Sequence, residues 1–122
     1  MIKLNAIPLD YEPRRKILPK LPEFVSPKGE REPEMTEFQS AFLCGAIKQV
    51  RPKKILEVSV AGGATTAIIL QALENLGEPY EMHSVDVAAK FYRDNSKASG
   101  FMATFALENN LFAPPVNLVR QP

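Results

Sequence analysis

Three features of the 122-residue chain have the residue types to hold one ligand: Glu57 inside an apolar run, the small-residue turn Ala61-Gly62-Gly63, and Asp86 at the tip of a second expected strand. Small residues at a turn let the backbone approach a ligand closely, and a helix starting there offers unpaired N–H groups and the positive end of its dipole. An acid about 20 positions past the glycines, at the tip of the next strand, can accept hydrogen bonds from both ribose hydroxyls of a nucleoside cofactor. The separation from Gly63 to Asp86 fits that role. The competing role for Asp86 is a plain strand-end turn residue.

The elements that must position these residues follow from the pattern. Ile55 to Val60 is apolar except at Glu57 and Ser59, as expected of a central parallel strand buried on both faces. After the turn, Thr65-Thr66-Ala-Ile-Ile-Leu restarts with helical spacing; a helix from about Thr65 to Leu76 puts Ile68, Ile69, Ala72, Leu73 and Leu76 inward and stops at Gly77. Tyr80 to Val85 is a second strand, so strand, helix and strand form a right-handed crossover with parallel strands. Upstream, Thr36-Glu-Phe-Gln39 matches a capping box and opens a helix whose stripe is Phe38, Ala41, Phe42, Cys44 or Gly45, Ala46, Ile47 and Val50, ending at Pro52. Downstream, Val87 to Gly100 is a polar stretch expected to be a long functional loop or short helix. Phe101 to Asn110 reads as helical, and Val116 to Val119 alternates as a third strand.

Two regions result. Residues 1–34 form a Pro-rich arm: six of the eleven prolines lie in the first 33 residues, and no regular helix is expected there. Ile7, Leu9, Tyr11, Ile17, Leu18, Leu21, Phe24 and Val25 would anchor it across the domain or a partner; the alternative is a partly ordered leader. Residues 35–122 have the pattern of an α/β, doubly wound parallel sheet, but supply only about three strands, the first half of such a domain.

The run Ser59-Val-Ala61-Gly-Gly63, preceded by Glu57, resembles the first motif of class I S-adenosylmethionine-dependent methyltransferases, acidic-x-Gly-x-Gly-x-Gly. Glu57 matches the motif's acid, Ser59 and Ala61 stand at the first two glycines, and Gly63 matches the third. The wider run through His-Ser-Val-Asp86 to Phe-Tyr-Arg-Asp94 is similar to a bacterial subgroup of these enzymes, over about residues 35 to 105. The resemblance implies a Rossmann-like cofactor-binding half-domain that takes S-adenosylmethionine through Glu57, Ser59, Ala61, Gly62, Gly63, Thr65, Asp86 and Val87. Asp86 would hold the ribose and Val87 would lie against adenine. It implies a methyltransferase acting on a small-molecule acceptor, a sugar being one candidate; catalytic residues are not identified.

Other classes are disfavoured. A dinucleotide site wants Gly-x-Gly-x-x-Gly, which this turn lacks. A further alternative is a non-catalytic Rossmann-like module that assembles through its arm or an open sheet edge, giving a homo-oligomer. Fifteen Lys and Arg against fourteen Asp and Glu predict no long-range attraction to nucleic acid or membranes, and Arg14-Arg15-Lys16 is expected to be a solvated surface. Apolar runs fall short of the ~20 residues of a membrane helix and no secretory layout opens the chain, which predicts a cytoplasmic protein. No His/Asp/Glu cluster has metal-ligand spacing. Cys44 is expected in the core. His83, within a strand, is expected to be structural or partly buried, and the polar group Tyr92 to Lys97 a solvated loop.

Overall fold

The structure is a computed structural model that describes residues 6–25, 28–29, 35–114 and 116. Its first element overturns an expectation. Helix α1 (Glu12–Ile17) forms in the Pro-rich arm, followed by a single 3-10 turn at Leu18–Lys20. Pro13 and Pro19 each lie in a first turn, where the missing N–H has no helical partner to lose and the fixed φ suits the helix. The arm's described residues lie across the domain, one of the arrangements left open by the sequence: Ile17, Leu21 and Phe24 are buried, while Leu9 and Val25 remain exposed.

Helix α2 (Glu37–Val50) opens on the predicted capping box, with Gln39 N donating to Thr36 Oγ1 at 3.1 Å and Thr36 N to Gln39 Oε1 at 2.9 Å. It stops at Arg51, which takes a left-handed conformation ahead of Pro52. The buried face is rotated from the expected stripe: Ser40, Ala41, Cys44, Gly45 and Ile47 are inside, whereas Phe38, Phe42 and Val50 are exposed. The arm causes the rotation. Arg14 donates to Met35 O at 2.8 Å and to Ser40 Oγ at 3.0 Å, Asp10 N donates to Ala41 O at 3.0 Å, and the Pro8 carbonyl lies over Gly45. The basic triplet is therefore not a bare solvated surface. Arg15 pairs with Glu37 at 2.7 Å, and Lys16 pairs with Glu12 and reaches Ala113 O at 3.2 Å.

Strand β1 (Lys54–Val58), helix α3 (Ala64–Leu76) and strand β2 (Glu81–Val85) make the expected parallel unit, with Leu56 opposite His83 and Val58 opposite Val85. Gly77 closes α3 at φ 69°, a left-handed cap that suits glycine. Helix α3 is the centre of the molecule: α1, α2 and α4 (Phe101–Glu108) all pack on it, and ten of its thirteen residues are buried. The expectation that β1 is buried on both faces fails. Ile55 and Met82 face the core, but Leu56 and Val58 on the opposite face are 66% and 70% exposed, so no described element covers that side.

Residues 87–100 are neither loop nor helix. They hold a hairpin of β3 (Lys90–Phe91) and β4 (Asp94–Ala98). Phe91 fixes it, buried in edge-on contact with Phe24 of the arm at 4.9 Å and against Phe101 at 5.7 Å. Of the third strand expected at 116–119, Val116 packs at the margin of the core and residues 117–119 lie outside the described residues. Among the described residues the fold is mixed α/β, with four helices, a parallel pair of strands and a separate antiparallel pair. No helix among them is long and apolar enough to cross a membrane.

Candidate functional site

The β1–α3 turn has the backbone shape of a glycine loop at all three motif positions. Ser59, Ala61 and Gly63 have φ of 75°, 54° and 93°, in the left-handed region that L side chains resist. Neighbouring elements hold it there. Ser59 N donates to Val85 O at 2.8 Å, and the start of α4 reaches back, Gly100 N to Ala61 O at 2.8 Å and Met102 N to Gly62 O at 2.9 Å. Gly63 serves helix packing and not open ligand space: a Cβ there would lie 2.8 Å from Gly100 Cα and 3.0 Å from Ala103 N.

Asp86 closes the turn from the tip of β2. Its Oδ2 accepts from Val60 N at 2.8 Å and Ala61 N at 3.2 Å, and its Oδ1 from Ala88 N at 2.9 Å. These backbone donors, Ala88 first, favour the ionised form and hold the carboxyl below its usual value. A depressed carboxyl contributes stability above its unfolded value and loses it as the pH falls through the folded one, so the turn loosens only in acid. Val87 beside it is fully exposed.

Glu57 sits on the helix-covered face of β1. Its Oε1 accepts from Thr66 Oγ1 at 2.6 Å and from Ser84 Oγ at 2.9 Å. Burial pushes its pKa up, and the two hydroxyls offset part of that shift. A raised carboxyl is most stabilising while protonated, below its unfolded value, and loses that contribution as the pH rises through the folded one. Glu57→Gln keeps the accepting oxygen and removes the charge. It is expected to unfold within about 1 kcal/mol of the wild type near neutral pH, or above it, and to lose the part of the acid-range stability slope that Glu57 supplies; urea titrations across that range check it.

Two cavities flank the turn and divide the predicted site. One of about 490 Å³ runs between β2 and α4, lined by Val60, Thr66, Ser84, Asp86, Ser99 and Gly100 toward the turn and by Leu70, Tyr80, Met82 and Leu107 below it. The other, about 710 Å³, opens on the far side of β1 and is lined by Glu57, Ser59, Ala61 and Thr65 with Leu43 and Ile69. Ser59, Ala61 and Asp86 thus meet at one turn, while Thr65 lines the cavity that Asp86 does not. Sequence pattern misses Thr66 and Ser84. Their signal is positional: Ser84 lies opposite Glu57 in the parallel register, and Thr66 is on the first turn of α3 above it.

Comparison with protein-family models, curated proteins and solved structures finds no match. The chemistry must be read from the residues themselves. His83 is not partly buried; its side chain is 57% exposed on the uncovered face of β2, 3.9 Å from Glu81. Cys44 is buried as expected, and burial, with Asp10 and Glu12 nearby, pushes its thiol up to about 12, far from a reactive thiolate. Among the described residues no group of three His, Cys, Asp or Glu side chains is placed to hold a metal ion.

Proposed function

We propose that this chain is the cofactor-binding portion of an S-adenosylmethionine-dependent methyltransferase, a Rossmann-like half-domain serving a small-molecule acceptor. The observation that carries the proposal is the backbone of Ser59 and Ala61: at the two motif positions where the chain lacks glycine, it still adopts the conformation glycine would. Asp86 stands beside that turn with an exposed, readily ionised carboxylate. A ribose hydroxyl at Asp86 would share the carboxylate with the backbone N–H groups of Val60, Ala61 and Ala88 that already bond to it. Val87, exposed next to it, is free to lie against an adenine. Bound cofactor would supply the sulfonium methyl group; this chain's part would be to hold and orient it, since methyl transfer depends chiefly on alignment with the acceptor.

A second use is favoured by one observation, the uncovered face of the β1–β2 sheet: a non-catalytic module acting in protein assembly. A nicotinamide dinucleotide is the weaker fit because the turn lacks the required glycine spacing.

Isothermal titration with S-adenosylhomocysteine and, in parallel, NAD separates the three. The methyltransferase assignment expects S-adenosylhomocysteine alone to bind, and Asp86→Asn, which keeps one oxygen for the turn, to weaken it roughly tenfold or more. A folded protein that binds neither ligand sinks the assignment and favours the assembly module.

A further inference from the structure

The uncovered face of the parallel pair has an order of its own. Reading across the register from the N-terminal ends, its rows are Lys54 beside Glu81, Leu56 beside His83, and Val58 beside Val85. All six side chains are exposed, and Val87 continues the apolar end beyond the strand. Leu56, Val58, Val85 and Val87 thus form a contiguous apolar patch of a kind monomeric proteins seldom leave in water, because burying each such side chain removes substantial apolar surface from solvent.

We propose that this face docks on the same face of a second copy, giving a two-fold dimer with the two sheets stacked. Stacked sheets pack about 10 Å apart with strands within roughly 30° of alignment, so a two-fold axis between them runs either along the strands or across them. An axis across the strands sets Lys54 over Val58 of the copy and Glu81 over Val85, leaving both charges against apolar side chains. An axis along the strands sets β1 over β2 of the copy. Lys54 then faces Glu81, Leu56 faces His83, and Val58 faces Val85. Only this arrangement pairs the charges of the first row and the apolar side chains of the last, with Leu56 over the His83 ring between them, and symmetry makes each match twice. The free protein leaves these charges available: Lys54 and Glu81 are register partners, yet no ion pair joins them, and the contact of Glu81 is with His83 at 3.9 Å. Leu56, Val58 and Val85 are exposed, so no described helix covers this face and blocks the approach.

Light scattering on the eluting protein, with complementary charge variants, tests the proposal. Wild type is expected at twice the 13.6 kDa of the chain. Lys54→Glu and Glu81→Lys each place like charges opposite one another across the axis and are expected to elute as monomers. Mixed in equal amounts they restore both pairs: the glutamate introduced at position 54 of one copy meets the lysine introduced at position 81 of the other, and the native Glu81 of the first meets the native Lys54 of the second. The mixture is expected to give a heterodimer at the wild-type mass. Both sites are exposed, and circular dichroism of each variant establishes that it is folded. A monomeric wild type, a polydisperse one, or single variants that dimerise as well as their mixture would overturn the proposal. Monomeric single variants whose mixture also stays monomeric would overturn it too.

Discussion

Gly63→Ala is expected to destabilise the protein by about 2–5 kcal/mol, a large part of the stability of a domain this size, seen as a lower urea midpoint at unchanged slope. Two costs combine. At φ 93° an L side chain is strained by roughly 1–2 kcal/mol. The added Cβ would also lie 2.8 Å from Gly100 Cα, a backbone atom that cannot swing aside as a flexible side chain would. Relief requires the turn and the start of α4 to separate, which breaks the bonds from Gly100 N to Ala61 O and from Met102 N to Gly62 O. The same change is therefore expected to weaken any ligand held at the turn. Ala61→Gly is the control: it removes a left-handed strain without adding an atom, and no loss of stability is expected.

Gly45→Ala is the second large effect, and its sign runs against helix propensity. Alanine in the middle of a helix is usually better than glycine by about 1 kcal/mol. Here the new Cβ would fall 1.9 Å from the Pro8 carbonyl oxygen, so the arm must lift from α2. With it go the bond from Asp10 N to Ala41 O and the seating of Ile17 over α3. A net loss of about 1–3 kcal/mol is expected. Trypsin supplies a second measurement: cleavage after Arg14 or Arg15 should become faster in the variant while α2 and α3 stay intact, and unchanged cleavage would mean that the arm accommodates the methyl group.

The parts of the fold that are legible in the sequence are those dictated locally. The capping box at Thr36, the glycine cap at Gly77 and the parallel pairing of two strands across one helix depend on residues close in the chain, and each is present. What sequence pattern misses depends on distant contacts. Pro13 reads as a helix breaker although in a first turn it is compatible with a helix, and α1 then holds because Ile17 is buried by the body of the domain. The face of α2 turns because the arm covers Ser40 and Gly45, leaving Phe38 and Phe42 outside. Phe91 lies in a polar stretch of sequence, yet its contacts with Phe24 and Phe101 organise a hairpin.

The candidate site divides the same way. Its turn is visible as a run of small residues, and Asp86 as an acid at a fixed offset. That Asp86 grips the turn's own N–H groups, and that Glu57 is held by Thr66 and Ser84 on the covered face, follows only from how β1 and β2 lie side by side.

The left-handed turn is held by groups of the chain itself. Backbone bonds from β2 and α4 and the Asp86 carboxylate already restrict Ser59 and Ala61, so a molecule settling there would not have to freeze a mobile loop. Association would then carry little ordering entropy, and its strength would follow from the contacts made.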